Sequence, residues 1–376
     1  MRPAAPHTDT LNIFERWGLR WMRRHSRADQ PALSHWPKEI LHKIRKIERS
    51  TIIQASILGA VSGMLFGVTE MGLEEWFGED QGWLYWVIFS ALGLVISGAE
   101  IIILYWRIFR TVGRVATQAG LDIDRDDVER MMVLGLSRAA LDMPNPRAAF
   151  HGVDPYSRLP RWKLLMYTIF YRLKVGATSM VLRVILRRVL ARAALRSLIP
   201  FAAIGVFAFW NALITYWILR QARIRIAGPV AIRDLEAITK EDGESLDQSQ
   251  KEVLYMAVAE SVVRSQDAHP NYVLLLGQLL ERWKLDKGEV RGEWREGVLN
   301  ESKLGKTGKK TLLRMLIATT ILRGSSRRAQ RVFLEETARD LGRGIDKGAL
   351  KSLQSGVYDG QGLEASQIDA VTSQAS

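Results

Sequence analysis

Residues 51–106 read TIIQASILGAVSGMLFGVTEMGLEEWFGEDQGWLYWVIFSALGLVISGAEIIILYW, and two apolar runs within them decide the fold. Thr51 to Thr69 carries no charge, and Trp83 to Trp106 carries only Glu100. As helices, both are long enough to cross a hydrocarbon core of roughly 30 Å. Between them, residues 70–82 hold Glu70, Glu74, Glu75, Glu79 and Asp80 without a base, whereas the N-terminal arm and the stretch with Arg107, Arg110 and Arg114 are basic. The positive-inside bias then predicts a hairpin with both ends in the cytoplasm and the acidic turn outside. Trp76, Trp83, Trp86, Tyr105 and Trp106 fall at the levels of an interfacial aromatic belt. With about fifty residues ahead of the first run, an anchor is expected rather than a cleaved signal.

Gly59, Gly63 and Gly67 recur every four residues and share one helical face, and Gly93 with Ser97 offers a small face on the second helix. Close packing of the two helices on each other is the expectation. Glu100 has two readings: an intramembrane relay, or a side chain that reaches the cytoplasmic interface or pairs with an arginine near Arg107. The second is the expected one.

Working outward, residues 155–233 contain fourteen lysines and arginines and no acid. Cations near anionic phospholipid gain about 1 kcal/mol each, so a membrane surface is the implied partner. Val181 to Ser197 reads as a basic amphipathic helix, with Arg183, Arg187, Arg188, Arg192 and Arg196 outside its apolar arc. It either floats in the headgroup layer or packs on the protein's own core. A third apolar run, Leu198 to Leu219, is followed by Arg220, Arg223 and Arg225 and contains Pro200, Gly205 and Asn211. A crossing and a re-entrant segment both remain open for it. The net charge of +13 and pI near 10.0 suit lipid or nucleic acid equally, but the 47% apolar content lies in long charge-free runs. Trp17 and Trp21, amid Arg16, Arg20, Arg23 and Arg24, fit an interfacial helix better than a base-stacking platform. No nucleic-acid partner is expected. The absence of cysteine excludes disulfides, thiolate metal sites and cysteine nucleophiles.

Arg107, Ala116, Gly120, Asp122, Glu129, Arg130 and Leu134, followed later by Ile199, Pro200, Gly205, Asn211, Ala212, Arg220 and Ala222, resemble the motifs of the EcsC-like family over about residues 50–230. The resemblance implies a bacterial, membrane-associated helical protein without established catalytic residues, the name member being associated with an ABC-transporter operon. In purely physical terms Gly120 is a helix stop, and Asp126, Asp127 and Glu129 are acids suited to the next helix start.

After Gly228-Pro229 the composition turns to mixed charge, which marks a boundary. Beyond it Met256, Ala259, Val262, Val263, Arg264, Val273, Leu275 and Asp286-Lys287-Gly288 are echoed by Met315, Ala318, Ile321, Leu322, Arg323, Val332, Leu334 and Asp346-Lys347-Gly348. Apolar residues at helical spacing in both copies predict a pair of helices per unit and a small bundle. This duplicated unit is similar to the TerB-like fold, related to tellurite resistance, whose turn commonly bears acids for a hard cation. Here the turns are Ser265-Gln266-Asp267-Ala268 and Gly324-Ser325-Ser326-Arg327, and Asp267 alone offers a carboxylate. That falls short of a Ca²⁺ shell, so no metal is expected. Gly305-Lys306-Thr307 lacks the upstream glycine of a phosphate-binding loop and reads as a basic linker, and Ser62 is out of register for a nucleophile elbow.

The expected fold class is all-α. The organisation is a basic arm 1–50, a transmembrane hairpin 51–106, an EcsC-like region 107–230 with an embedded segment 198–219, a linker 231–250, a TerB-like repeat domain 251–355 and a disordered tail 356–376. The expected function is a non-enzymatic adaptor in the bacterial cytoplasmic membrane, multi-pass with its N-terminus in the cytoplasm and without a cofactor. It would bind anionic phospholipid through Arg183, Arg187, Arg188, Arg192, Arg196, Arg220 and Arg223, and recruit an unidentified protein partner; homo-oligomer formation is left open. The alternatives are a transporter accessory subunit or small-solute channel using Glu100 and Asn211, and an enzyme acting on lipid.

Overall fold

The computed structural model describes residues 35–78, 82–120, 149–160, 162, 199–285, 294 and 304–374, with 199–203 and 374 described by their backbone alone. The chain divides into two compact units, one of residues 44–112 and 160–220, the other of 1–43, 113–159 and 221–376. The described residues are mostly helical, in keeping with the all-α expectation. One small addition is a two-stranded antiparallel sheet.

The 44–112/160–220 unit takes most of α1 (Lys38–Phe77) and α2 (Trp83–Gln118) and the first half of α3 (Ile199–Ile238). Among the described residues, α1 and α2 are long and apolar enough to cross a membrane. α1 starts inside the expected basic arm. Its good helix formers and the in-register buried series Ile44, Glu48, Thr51, Ala55 and Gly59 carry the helix back to Lys38. α2 ends at Gln118, and Gly120 follows in the left-handed region at φ 74°, as its reading as a helix stop required.

α3 does not stop at Gly228-Pro229 but continues to Ile238, so the boundary read there is corrected. Pro229 withholds the N–H that the Arg225 carbonyl would accept, and the helix runs on through it. Here Asn271 inserts against Gly228, where a β-carbon would overlap its amide, and Nδ2 donates to the Ile224 carbonyl at 3.1 Å. The expected linker 231–250 is also largely helical, being the end of α3 and α4 (Lys240–Glu244). Ala231, Ile232 and Leu235 are buried in the core, and Arg282 donates to the Glu236 and Thr239 carbonyls at the helix end. The charge run at 240–244 marks a turn between packed elements.

In the second unit the duplicated sequence forms two helix pairs, α5 (Gln248–Ser265) with α6 (Pro270–Trp283) and α7 (Lys306–Ile321) with α8 (Arg328–Asp340). Asp247 opens α5 with a capping box closed by Gln250, and Gln266 and Lys284 end α5 and α6 in the left-handed region. Gly305 is the N-cap of α7, so the expected basic linker at 305–307 is the start of a helix. Leu254, Val258, Val262, Leu276, Leu312, Leu316, Ile317 and Ile321 form one core, each large side chain contributing about 1.5–3 kcal/mol.

β1 (Arg343–Ile345), α9 (Lys347–Tyr358), α10 (Ala365–Asp369) and β2 (Thr372–Gln374) complete this unit. The expected disordered tail is thereby corrected. Its Gly, Ser and Gln content conceals Leu363, Ile368 and Val371, which are buried in the core, while β2 pairs with β1. Trp36 seals the same corner, packing where Gly360 lacks a side chain and donating its backbone N–H to the Gly360 carbonyl at 2.9 Å.

Residues 149–159, assigned from sequence to the EcsC-like region, also belong to this unit. Val153 is buried within it, the Tyr255 hydroxyl donates to the His151 carbonyl at 2.7 Å, and Arg158 pairs with the buried Glu260 at 2.9 Å.

Candidate functional site

The three-helix unit hides polar groups and exposes apolar ones. Ser62 of α1 donates to Glu100 Oε2 of α2 at 2.6 Å, and Asn211 Nδ2 of α3 donates to Glu100 Oε1 at 2.6 Å. All three are buried, Glu100 being 8% exposed. One carboxylate therefore ties three helices with two hydrogen bonds, and no cation meets it among the described residues. This corrects the expectation that Glu100 reaches the interface or pairs with an arginine. Arg107 instead donates to Gln54. About one turn beyond Arg107 along α2, the buried hydroxyls of Thr111 and Thr51 share a 2.8 Å hydrogen bond that fixes the register of α1 against α2.

The glycine face of α1 also serves a different partner from the one expected. A β-carbon at Gly59 would overlap the Phe207 carbonyl oxygen and crowd Asn211, and one at Gly63 would stand 3.0 Å from Ile204 Cα. These glycines admit α3, whose backbone comes close enough to bring Asn211 to Glu100. The sequence signal for close approach was sound, but small residues do not name the helix that uses them. Gly67 and Gly93 are buried and Ser97 is half-buried.

The outer surface of the hairpin is apolar. Leu94 is 77% and Ile102 71% exposed, with Ile57, Val68, Met71, Val87 and Val95 also exposed. Basic and acidic ends bracket this belt. Lys46, Arg49 and Arg110 are exposed and Arg107 half-buried at one end, with Glu74 and Glu75 exposed at the other, and the Arg110 guanidinium lies 5.6 Å from the centre of the Trp106 ring.

Of the arginines read as lipid-facing, Arg183, Arg187, Arg188, Arg192 and Arg196 lie outside the described residues. Arg220 is exposed. Arg223 pairs with Asp359 at 3.5 Å and is only 18% exposed, so it serves the protein's own packing.

In the repeat unit, groups of three metal-ligating side chains are absent among the described residues. Asp267 is engaged by Arg323 at 2.6 Å. Sequence reading missed a buried polar node beside it. His269, 1% exposed, caps α6 by accepting the Asn271 N–H at Nδ1, while Asn271 Nδ2 also donates to the Leu322 carbonyl at 2.8 Å. Burial, then Arg225 and Arg323, hold the His269 pKa well below its ordinary value. Burial likewise pushes the Tyr272 hydroxyl up to about 12, and that hydroxyl accepts from Gln330 Nε2 at 3.3 Å. The available signal was the Gly-Pro pair, read as a boundary when it marked a notch. Comparison with protein-family models, curated proteins and solved structures finds no match for this chain.

Proposed function

We propose that this protein is a non-enzymatic membrane adaptor of EcsC-like character. In this reading α1 and α2 are embedded in the bacterial cytoplasmic membrane with the N-terminus inside, and the repeat unit is a TerB-like domain that recruits a protein partner. The observation that carries it is the exposed apolar belt of α1 and α2. Monomeric soluble proteins rarely expose contiguous apolar patches beyond a few hundred Å², and this belt has a width that fits a bilayer. Arg49 and Glu70, which bracket it on α1, lie about 31 Å apart at 1.5 Å per residue, against roughly 30 Å for a hydrocarbon core. The repeat unit, with a conventional apolar core, is what such a protein would present to a partner. Anionic phospholipid is the proposed lipid.

The test is extraction and topology. The full chain should stay in the membrane pellet at alkaline pH, and alkaline phosphatase fused at Gly78 should be active while the same fusion at Gly113 is inactive. Release at alkaline pH sinks the reading, and the reverse reporter pattern sinks its orientation.

One observation favours a second reading, a transporter accessory subunit. Glu100 with Ser62 and Asn211 is an uncompensated carboxylate among helices, and such groups commonly mark solute or ion paths. Vesicle uptake of a solute that Glu100→Gln abolishes, with the protein still folded, would promote it.

A further inference from the structure

The two ends of the hairpin differ in how their charges are used. At the basic end, Lys46 and Arg49 stand on α1 and Arg107 and Arg110 on α2, Arg107 half-buried and the other three exposed, and none faces a carboxylate among the described residues. The Thr51–Thr111 and Gln54–Arg107 hydrogen bonds set the two antiparallel helices in register, so the two pairs belong to one end of the unit. Lys46, Ser50 and Gln54 follow at four-residue spacing on one face of α1, where Gln54 Nε2 donates to Ser50 Oγ at 3.3 Å. Arg107 is anchored by Gln54 and Arg110 by the Trp106 ring. One guanidinium fork is thus held by an amide and the other beside an indole, just where the exposed apolar belt ends.

We propose that this collar, formed by Lys46, Arg49, Ser50, Gln54, Arg107 and Arg110, is a binding site for the phosphodiester headgroup of an anionic phospholipid. The inference rests on the membrane reading and names the lipid site within it. The chemistry is complementary. Arginine presents paired N–H donors to phosphate oxygens, Ser50 and Gln54 supply neutral donors, and the acyl chains of the same molecule lie along the apolar belt. Tryptophan at the belt edge suits the depth of a headgroup. A soluble phosphate would share the charge term and lack the apolar one.

The experiment uses the full chain in nanodiscs made of phosphatidylcholine with a minor fraction of phosphatidylglycerol, and native mass spectrometry counts the lipids retained on release. Wild type is expected to retain phosphatidylglycerol preferentially. Arg107→Gln with Arg110→Gln should reduce that preference by about thirtyfold, since each of the two cations near the surface contributes about 1 kcal/mol. Lys306→Gln with Lys309→Gln, exposed on the repeat unit, should leave it unchanged. Glycerol phosphate at millimolar concentration should not displace the lipid. An unchanged preference in the double variant with native helicity overturns the site, and displacement by glycerol phosphate overturns its lipid character. A chain that never enters the nanodisc overturns the membrane reading instead.

Discussion

The two units of this protein bury opposite kinds of residue. The hairpin with the start of α3 hides Thr51, Ser62, Glu100, Thr111, Asn211 and Thr215 while exposing leucine, isoleucine and valine. The repeat unit hides leucine, isoleucine and valine and exposes lysine, arginine and glutamate. Helices with apolar surroundings gain nothing by burying more apolar surface, so close approach and interior hydrogen bonds hold them. Helices in water are held by the hydrophobic effect. On the membrane reading proposed above, the same chain therefore relies on two different forces.

The sharpest way to break this contrast is to shorten an apolar side chain in each unit. Leu316→Ala, in the repeat core, should cost about 3 kcal/mol in denaturant unfolding, while Ile102→Ala, on the hairpin surface, should change detergent-solubilised stability by less than about 0.5 kcal/mol. Comparable losses would erase the distinction. Next, Gly59→Leu should drive α3 from α1 at a cost of about 2 kcal/mol, measured as an earlier thermal transition of the solubilised protein, whereas Gly72→Leu, which has open space around it, should not.

Acid sharpens the contrast from the other side. His269 is held neutral in the folded repeat unit, so below pH about 6.5 the unfolded chain binds a proton that the folded one refuses. Stability is then fully present above that pH and is lost as pH falls toward the depressed folded value, by up to about 1.4 kcal/mol per pH unit. Melting at pH 7.5 and 5.5 should show the loss in wild type and a smaller one in His269→Gln. In the hairpin, Glu100→Leu should cost about 1 kcal/mol through the stranded Asn211 and Ser62 donors, and Glu100→Gln less. The smallest expected effect is that of calcium, which should leave the melting temperature unchanged because Asp267 is already paired with Arg323.

Much of this was legible in the sequence, and the limits have physical causes. The apolar runs gave α1 and α2, and the repeat gave two helix pairs, because periodicity is a local property. What eluded sequence reading depends on partners. Gly59 and Gly63 advertise close approach without saying that α3 makes it. Glu100 looked close enough to Arg107 to pair with it, but Asn211 is remote in sequence and closer in space. Gly228-Pro229 has the composition of a break, and only Asn271, held by the first repeat, turns it into a seat. The tail resembled a disordered segment because four buried apolar residues, Val357, Leu363, Ile368 and Val371, in twenty-one do not raise a composition signal.

The duplicated helix pairs lean on each other almost reciprocally. Asn271 and Gln330 occupy equivalent repeat positions, and each reaches the first helix of the other copy, at the Leu322 carbonyl and at Ser261 Oγ. Two identical chains arranged this way would be bound by symmetry to offer two identical seats. Fusion into one chain lifts that obligation. Asn271 keeps a second contact, to Ile224 of α3, while Gln330 turns its amide inward to Tyr272 and Thr319. The bundle thus has the economy of a dimer and a single, addressed docking point, so each half is free to change without spoiling a matching site on the other.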